Sequence, residues 1–463
     1  MGSGTDSLGT ASTTGAYTDV TPAIPPDRRK RRRASGPVAL SVLGLWLLSF
    51  PESRFAGQKL SDWCFVAGAA AVSVNLLSGN TQRLAPVSMR RTPPLVLVGT
   101  LILMSAGALS SLWAVDPIGS MLEVARYGSV TLLWFWLMRT VVDNRETLWR
   151  LVRAFKATVL VSCVGGALGL FGILDMNGDP LGPNANRQSA WFGHPNHLAF
   201  LLAVGLPYFF LDVPAGAAGS ELRRLARRWV PTGIILFFLA STGSMTGTAA
   251  AVAGLAVVTV AGQLSQGRRR RRATPKPMAV FIGLAAIPIV AVALLQTGAP
   301  LFDRVTELIE GDTSVNVSAD SRDRFNDYAL DQLGDRLVFG IGLDTGSHEL
   351  FPAPSSSGAN HNMYLTVLVD SGLPGLVGLL IILWWAAKTS WQLVRTTEDP
   401  ELYALSLALL GSVVAGSVQA YFNPVQHERM YWFAVAMTSV VWALRRHEAQ
   451  AAGPPQASAS SIS

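Results

Sequence analysis

His361-Asn362, nine intervening residues and then Gly372-Leu373-Pro374-Gly375 set an imidazole just ahead of a glycine and proline helix break. Imidazole is the natural proton acceptor near neutral pH, so the chain is best equipped for acid–base chemistry here. Other side chains of useful type recur along the sequence: Arg187, His194 and His197 on either side of Pro195-Asn196, Arg322, Arg324, His348, and His427 with Arg429. An arginine fork matches two phosphate oxygens with parallel hydrogen bonds. Gathered in one place, these groups would suit an anionic, phosphorylated, lipid-borne substrate. Whether they gather depends on the elements that carry them.

Those elements read as membrane helices. Half of the 463 residues are hydrophobic and 14% are charged. The apolar residues fall in runs of about 15 to 25 between short polar stretches, without a 3.6-residue amphipathic rhythm. Hydrocarbon offers no partner for backbone amides, which forces helix, and a β-barrel would show short alternating strands instead. The sequence therefore predicts an all-α, polytopic membrane helical bundle of about twelve spans: 37–50, 63–79, 94–114, 119–141, 151–173, 191–212, 229–242, 245–264, 278–296, 363–387, 401–421 and 428–445. The first and seventh are shorter than the roughly 20 residues that a bilayer core asks for.

Basic clusters at 28–33, Arg90-Arg91, Arg145 and Arg150, 223–228, 268–272, Lys388 and Arg395, and Arg445-Arg446 all fall on one side of this plan. The positive-inside rule assigns that side, and both termini, to the cytoplasm. The net charge of +7 is then explained by topology and contact with anionic lipid, and calls for no nucleic acid. Cys64 and Cys163 both lie inside spans and read as packing residues with no metal or redox role. The first span is followed by Pro51-Glu52-Ser53 rather than a small-residue cleavage site, so it reads as an uncleaved anchor.

Residues 1–36 and 447–463 read as disordered cytoplasmic tails. Residues 37–296 carry spans one to nine and 363–446 carry spans ten to twelve. Between them, 297–362 forms the single large extracytoplasmic loop, long enough to hold structure and function of its own. Within it, charge alternates over 321–333 with Phe325, Tyr328, Ala329 and Leu333 at near-helical spacing, predicting an amphipathic helix on the membrane surface. A turn at Phe339-Gly340-Ile341-Gly342 follows. On this plan five of the six histidines sit at or near the outer face.

Most of these residues also have a plainer role. Arg322 fits a snorkelling anchor, and His194 and His197 fit caps for span six. Asp344, His348 and Glu349 match no metal-site spacing and read as a solvated loop. Glu123 and Arg126, three apart on one helix face, fit an internal ion pair. Asp370, beside the break, fits a bond to freed backbone or to an arginine.

The run from His361 through Gly372 to Gly375 is similar to the ligase motif of the O-antigen ligase and O-antigen polymerase superfamily of bacterial membrane glycosyltransferases. Further stretches resemble that family: Ser111-Leu112-Trp113-Ala114-Val115-Asp116-Pro117 before span four, Arg187 with Phe192-Gly193-His194-Pro195-Asn196-His197 before span six, and Arg324 through Tyr328-Ala329 to Gly340-Ile341-Gly342 in the loop. The resemblance implies transfer of a glycan from undecaprenyl pyrophosphate to an acceptor hydroxyl on the outer face of the cytoplasmic membrane. It implies no nucleotide sugar, no cofactor and no metal. In it, His361 takes the acceptor proton, Arg187 and Arg324 hold the pyrophosphate, Asn196, Asn362 and Arg322 add substrate contacts, and Gly372 and Gly375 shape the backbone. Attack opposite the leaving group implies inversion at the anomeric carbon. The implied partners are the lipid-linked glycan donor, a glycan or lipid acceptor, the lipid bilayer and other polysaccharide-assembly proteins.

One position departs from the family. Ser244-Met245-Thr246-Gly247 has methionine where relatives commonly carry arginine, and Arg126 or Arg429 would stand in for the missing contact. The full ligase motif leans toward ligase over polymerase. A lipid-linked glycan transporter or flippase is the alternative from another class, against which stand the lack of a visible repeat and the clustering on one face rather than at the midplane. A non-catalytic assembly scaffold is a third reading.

Overall fold

Asp116, Asn144, His194, Ser244, Asn362 and Asp399 each stand just before an apolar run, and each accepts a backbone N–H of the helix that follows. Side chains of this kind satisfy amide groups that the first turn leaves without partners. The computed structural model describes residues 36–48, 54–55, 58–81, 84–171, 173, 189–192, 194–213, 221–265, 331, 333–343, 362–426 and 428–451. Helix α1 is Gly36–Leu47; a short antiparallel ladder of β1 (Arg54–Phe55) and β2 (Gln58–Lys59) leads into α2, Leu60–Leu77. Then come α3 (Val87–Arg90), α4 (Pro94–Ser110) with a 3₁₀ turn at Ser111–Trp113, α5 (Pro117–Gly128), a π-helical segment at Ser129–Leu133, and α6 (Trp134–Val141). The remaining helices are α7 (Arg145–Leu170), α8 (Pro195–Phe210), α9 (Glu221–Ser241), α10 (Met245–Leu264), α11 (Met363–Thr396), α12 (Pro400–Phe422) and α13 (Arg429–Ala451).

Six of these segments are long and apolar enough to cross a membrane: α2, α4 with its 3₁₀ turn, α7, α10, α11 and α12. The chain is accordingly a multi-pass membrane protein. Helices α1 and α8 are apolar but shorter. The other expected spans within the described residues also coincide with helix, whereas the ninth, 278–296, lies outside them. So does most of the expected loop 297–362, including nearly all of the helix anticipated over 321–333. Twelve crossings thus remain an expectation from sequence.

Several boundaries differ from the expected ones for a common reason. Helix α9 begins at Glu221 rather than 229, passing through the basic stretch, because charge opposes entry into lipid but not helix formation. Arg228 there lies 5.0 Å from the ring centres of both Phe210 and Trp229, and Arg227 bonds Asp212 at 3.5 Å. Helix α7 likewise begins at Arg145, where Asn144 caps it, and α11 continues past 387 to Thr396.

The centre of the bundle is α8, α12 and most of α13, whose side chains are nearly all buried. Around it α4 packs on α11 so closely that a Cβ on Gly99 would meet the Gly378 carbonyl at 2.7 Å, and one on Gly378 would meet the Gly99 carbonyl at 2.6 Å. Small residues at helix crossings are the usual means of close packing where lipid removes the hydrophobic drive between helices. At one end of the bundle, Arg145 joins the starts of α7 and α12 to the end of α13 through Asp399 (2.5 Å) and Glu448 (2.7 and 2.9 Å). The other end gathers the starts of α2, α5, α8, α10, α11 and α13.

Candidate functional site

The break in α11 is made by Gly372, with φ 69° and ψ −175°. Pro374 has no N–H, so the carbonyl of Asp370 would lack its helical partner. The arriving segment 337–342 supplies one: Gly342 N–H donates to Asp370 O at 3.1 Å, and Ile341 N–H to Val369 O at 2.9 Å. In exchange Leu373 N–H donates to Leu337 O at 2.9 Å. This bears out the expectation of a break, and shows that the Asp370 carbonyl is bonded by that segment's backbone.

The approach leaves no room for side chains. A Cβ on Gly340 would sit 2.6 Å from Asp370 O and Gly372 N, and one on Gly372 would collide with the backbone of Val338 and Gly340. Trp113 closes the junction from α4, donating Nε1–H to Gly340 O at 3.0 Å with its ring edge-on to Phe339. Gly375 packs its Cα against Ser371, whose hydroxyl donates to Val367 O at 2.7 Å. Three stretches far apart in sequence, around Trp113, Gly340 and Gly372, therefore form one backbone-to-backbone junction.

Asn362, immediately after His361, caps α11 by accepting N–H bonds from Tyr364 (2.9 Å) and Leu365 (3.2 Å). One turn on, the Tyr364 hydroxyl donates to Ser417 O at 2.9 Å, and the Ser417 and Tyr431 hydroxyls pair at 2.8 Å. The start of α11 is thus tied to α12 and α13. His361, Arg187, Arg322 and Arg324 lie outside the described residues, as do His348 and His427.

A polar patch lies where α8, α10, α12 and α13 meet. His194 Nδ1 accepts the N–H of Asn196 at 3.1 Å, as the capping role anticipated, and His197 Nδ1 stands 3.3 Å from Glu428 Oε1. Asn196 Nδ2 donates to Asn423 Oδ1 at 3.3 Å, and Asn423 Nδ2 donates to Thr246 Oγ1 at 3.4 Å. Met245 opens α10 beside Thr246 and so adjoins this patch. Gln419, one turn before Asn423, is fully buried with neither its amide oxygen nor its nitrogen bonded by protein.

On the other side of the α13 start, Arg126 and Arg429 line one cavity of ≈ 300 Å³. Its walls are mostly apolar and include Trp63, Phe65, Leu122 and Trp134. Arg126 pairs with Glu123, as the spacing suggested, and Arg429 pairs with Asp62 of α2. The second pair is the more deeply placed, with side chains 10% and 17% exposed. The cavity also touches Ser129, Val130 and Leu133 of the π-helical segment. Such segments widen a helix by one residue and recur at functional sites.

Sequence reading did not single out Asp62, Thr246, Asn423, Glu428 or Gln419. The partners of the first four are remote in the chain, the Gln419 side chain has no bonded partner among the described residues, and no motif or periodicity marks any of them. Residues 231–380 match the family model described as O-Antigen ligase, a segment that runs from α9 into α11 and holds Met245, Arg322, Arg324, His361, Asn362, Gly372 and Gly375. No curated protein matches the chain.

Proposed function

We propose that this chain, whose residues 231–380 match the O-Antigen ligase family model, is a membrane glycosyltransferase of the O-antigen ligase superfamily, moving a glycan from undecaprenyl pyrophosphate to an acceptor hydroxyl. The observation that carries this reading is the junction at Gly372. It anchors the helix whose first turn, capped by Asn362, directly follows His361. A base is useful only where its position is set by the scaffold beneath it.

In the proposed reaction His361 accepts the proton of the attacking hydroxyl. Oxygen attacks the anomeric carbon from the face opposite the pyrophosphate, the carbon–oxygen bond to the carrier breaks, and the lipid diphosphate leaves with the electron pair. Charge grows on that leaving group, so arginines already in place stabilise the transition state more than the ground state. Arg187 and Arg324 take that role. Arg126 and Arg429 supply the contact missing at Met245, since they line a lipid-compatible cavity near the same end of the bundle. Their carboxylate partners fix the direction of each guanidinium before substrate arrives. This face lies outside the cytoplasmic membrane in the proposed orientation.

The experiment is transfer of lipid-linked glycan by membranes carrying His361→Ala at normal levels. Loss of a general base costs about 10²–10⁴-fold in rate, and that loss with intact insertion is the expected result. Transfer within a few fold of the parent would remove the base assignment. Movement of lipid-linked sugar between leaflets without a new glycosidic bond would replace the enzyme by a transporter. The envelope polysaccharide of a deletion strain separates the finer alternatives, with unattached chains for a ligase and shortened chains for a polymerase.

A further inference from the structure

A second arginine-lined cavity, ≈ 460 Å³, opens at the end of the bundle opposite Asn362. It is walled by Ser88, Arg91 and Thr92 before α4, Arg139 near the end of α6, and Trp442, Arg446 and His447 of α13. No Asp or Glu is among its described lining residues. That sets it apart from a flanking basic cluster whose charges are simply solvated.

Arg139 is the decisive member. It is only 2% exposed, and it comes from within a helix rather than from a flanking loop. One Nη donates to the carbonyl and hydroxyl oxygens of Ser439 at 2.9 and 2.6 Å, which fixes the fork, while its Nε–H is buried and has no acceptor. A buried guanidinium with an unused donor is costly unless an anion completes it. Trp442 stands between two of the cations, with Arg139 Cζ 5.9 Å and Arg446 Cζ 4.8 Å from its ring centre. The same cavity reaches Pro93 and Pro94, where α4 starts with no side-chain cap, so the positive end of a 17-residue helix adds to the field.

We propose that this pocket binds a phosphate group, with Arg139 as its buried floor and Arg91 and Arg446 as its exposed rim. The group is presented by an anionic phospholipid of the adjacent leaflet or arrives free in solution. The proposal stands independently of the transfer reaction assigned to the other end.

The test uses the full chain in neutral detergent, with native mass spectrometry counting bound phosphatidic acid against phosphatidylcholine, and a parallel arm reading thermal stabilisation by inorganic phosphate. Arg91 and Arg446 are exposed, so R91Q/R446Q leaves the packing intact. R153Q/R395Q removes the same charge from exposed sites at the same end but outside the cavity. Saturable binding of one phosphatidic acid, weakened about tenfold per arginine removed in R91Q/R446Q and unchanged in R153Q/R395Q, supports the pocket with lipid as the source. The same mutational pattern for inorganic phosphate, without preference for the lipid, supports it with a soluble source. Equal loss in both double variants, or loss in neither, overturns it. Arg139→Lys keeps the charge and removes the fork, and it should reproduce most of the R91Q/R446Q effect.

Discussion

The two ends of the bundle are fastened by different chemistry. At the Asn362 end, backbone bonds to backbone across Gly340 and Gly372, and each cavity arginine has its own carboxylate. At the opposite end the turns are joined by side chains, with Arg145 holding Asp399 and Glu448, and the arginine cavity beside them has no carboxylate among its described lining residues. Backbone bonds made in close contact tolerate neither a shift nor a Cβ, and they respond little to salt or pH. Part-exposed ion pairs respond to both. The Asn362 end is therefore suited to holding a fixed geometry, and the opposite end to meeting a variable lipid surface.

The sharpest way to break the comparison is a pair of glycine substitutions at positions that share a positive φ. Gly372 (φ 69°) and Gly79 (φ 71°) both have a positive φ that side chains rarely adopt, but a Cβ on Gly79, past the end of α2, meets nothing within 4 Å. Gly79→Ala should cost about 1 kcal/mol from backbone strain alone. Gly372→Ala adds a collision with the Val338 and Gly340 backbone and should cost ~3 kcal/mol or more. Thermal unfolding in detergent reads the difference; equal shifts would mean that the junction yields and fixes nothing.

Next in size is Asp62→Asn, which leaves the Arg429 guanidinium, only 10% exposed, with its neutralising partner reduced to an amide. Weakening a buried pair from one side should cost about 2 kcal/mol, since the remaining charge keeps its desolvation penalty. Arg145→Gln removes a pair and a two-pronged contact, but those side chains are 32–41% exposed, so about 1 kcal/mol is expected. The contrast is in salt. Raising ionic strength should shrink the Arg145→Gln effect and leave that of Asp62→Asn nearly unchanged.

What the sequence disclosed follows the range of the interactions. The apolar runs, the Gly372 and Pro374 break, the His194 cap and the Glu123–Arg126 pair were all legible, because each is set by residues within a few positions. That 337–342 fills the break was not, although Pro374 signals that the Asp370 carbonyl needs an outside donor. The links from Asn196 to Asn423 and from Asp62 to Arg429 join residues hundreds of positions apart through packing of helices, and no local pattern encodes them. The early start of α9 was hidden because hydropathy reports what lipid accepts, whereas Arg223 and Arg227 are as compatible with helix as any unbranched side chain. Arg139 was passed over for the opposite reason, since one arginine at the end of an apolar run resembles an ordinary flanking charge.

Acid offers the mildest and most selective probe of the opposite end. Burial alone would raise the Asp399 carboxyl, but the N–H of Leu402, the Arg145 guanidinium and the N–H of Glu401 together outweigh it and hold the group below the usual carboxylate range. A carboxyl with a lowered folded-state value contributes stability that is fully present above its unfolded value, about 3.9, and is lost as pH falls through the folded one. Asp399→Asn keeps an acceptor for the two N–H groups at the start of α12 and removes only the charge. The parent should therefore be slightly more stable than the variant at neutral pH, and the two should converge as pH drops below about 4. Unfolding temperatures of both proteins across that interval measure it. A gap that persists unchanged into acid would mean that the cap, not the ion network, holds this end together, and the salt response expected of Arg145→Gln would then have to vanish as well.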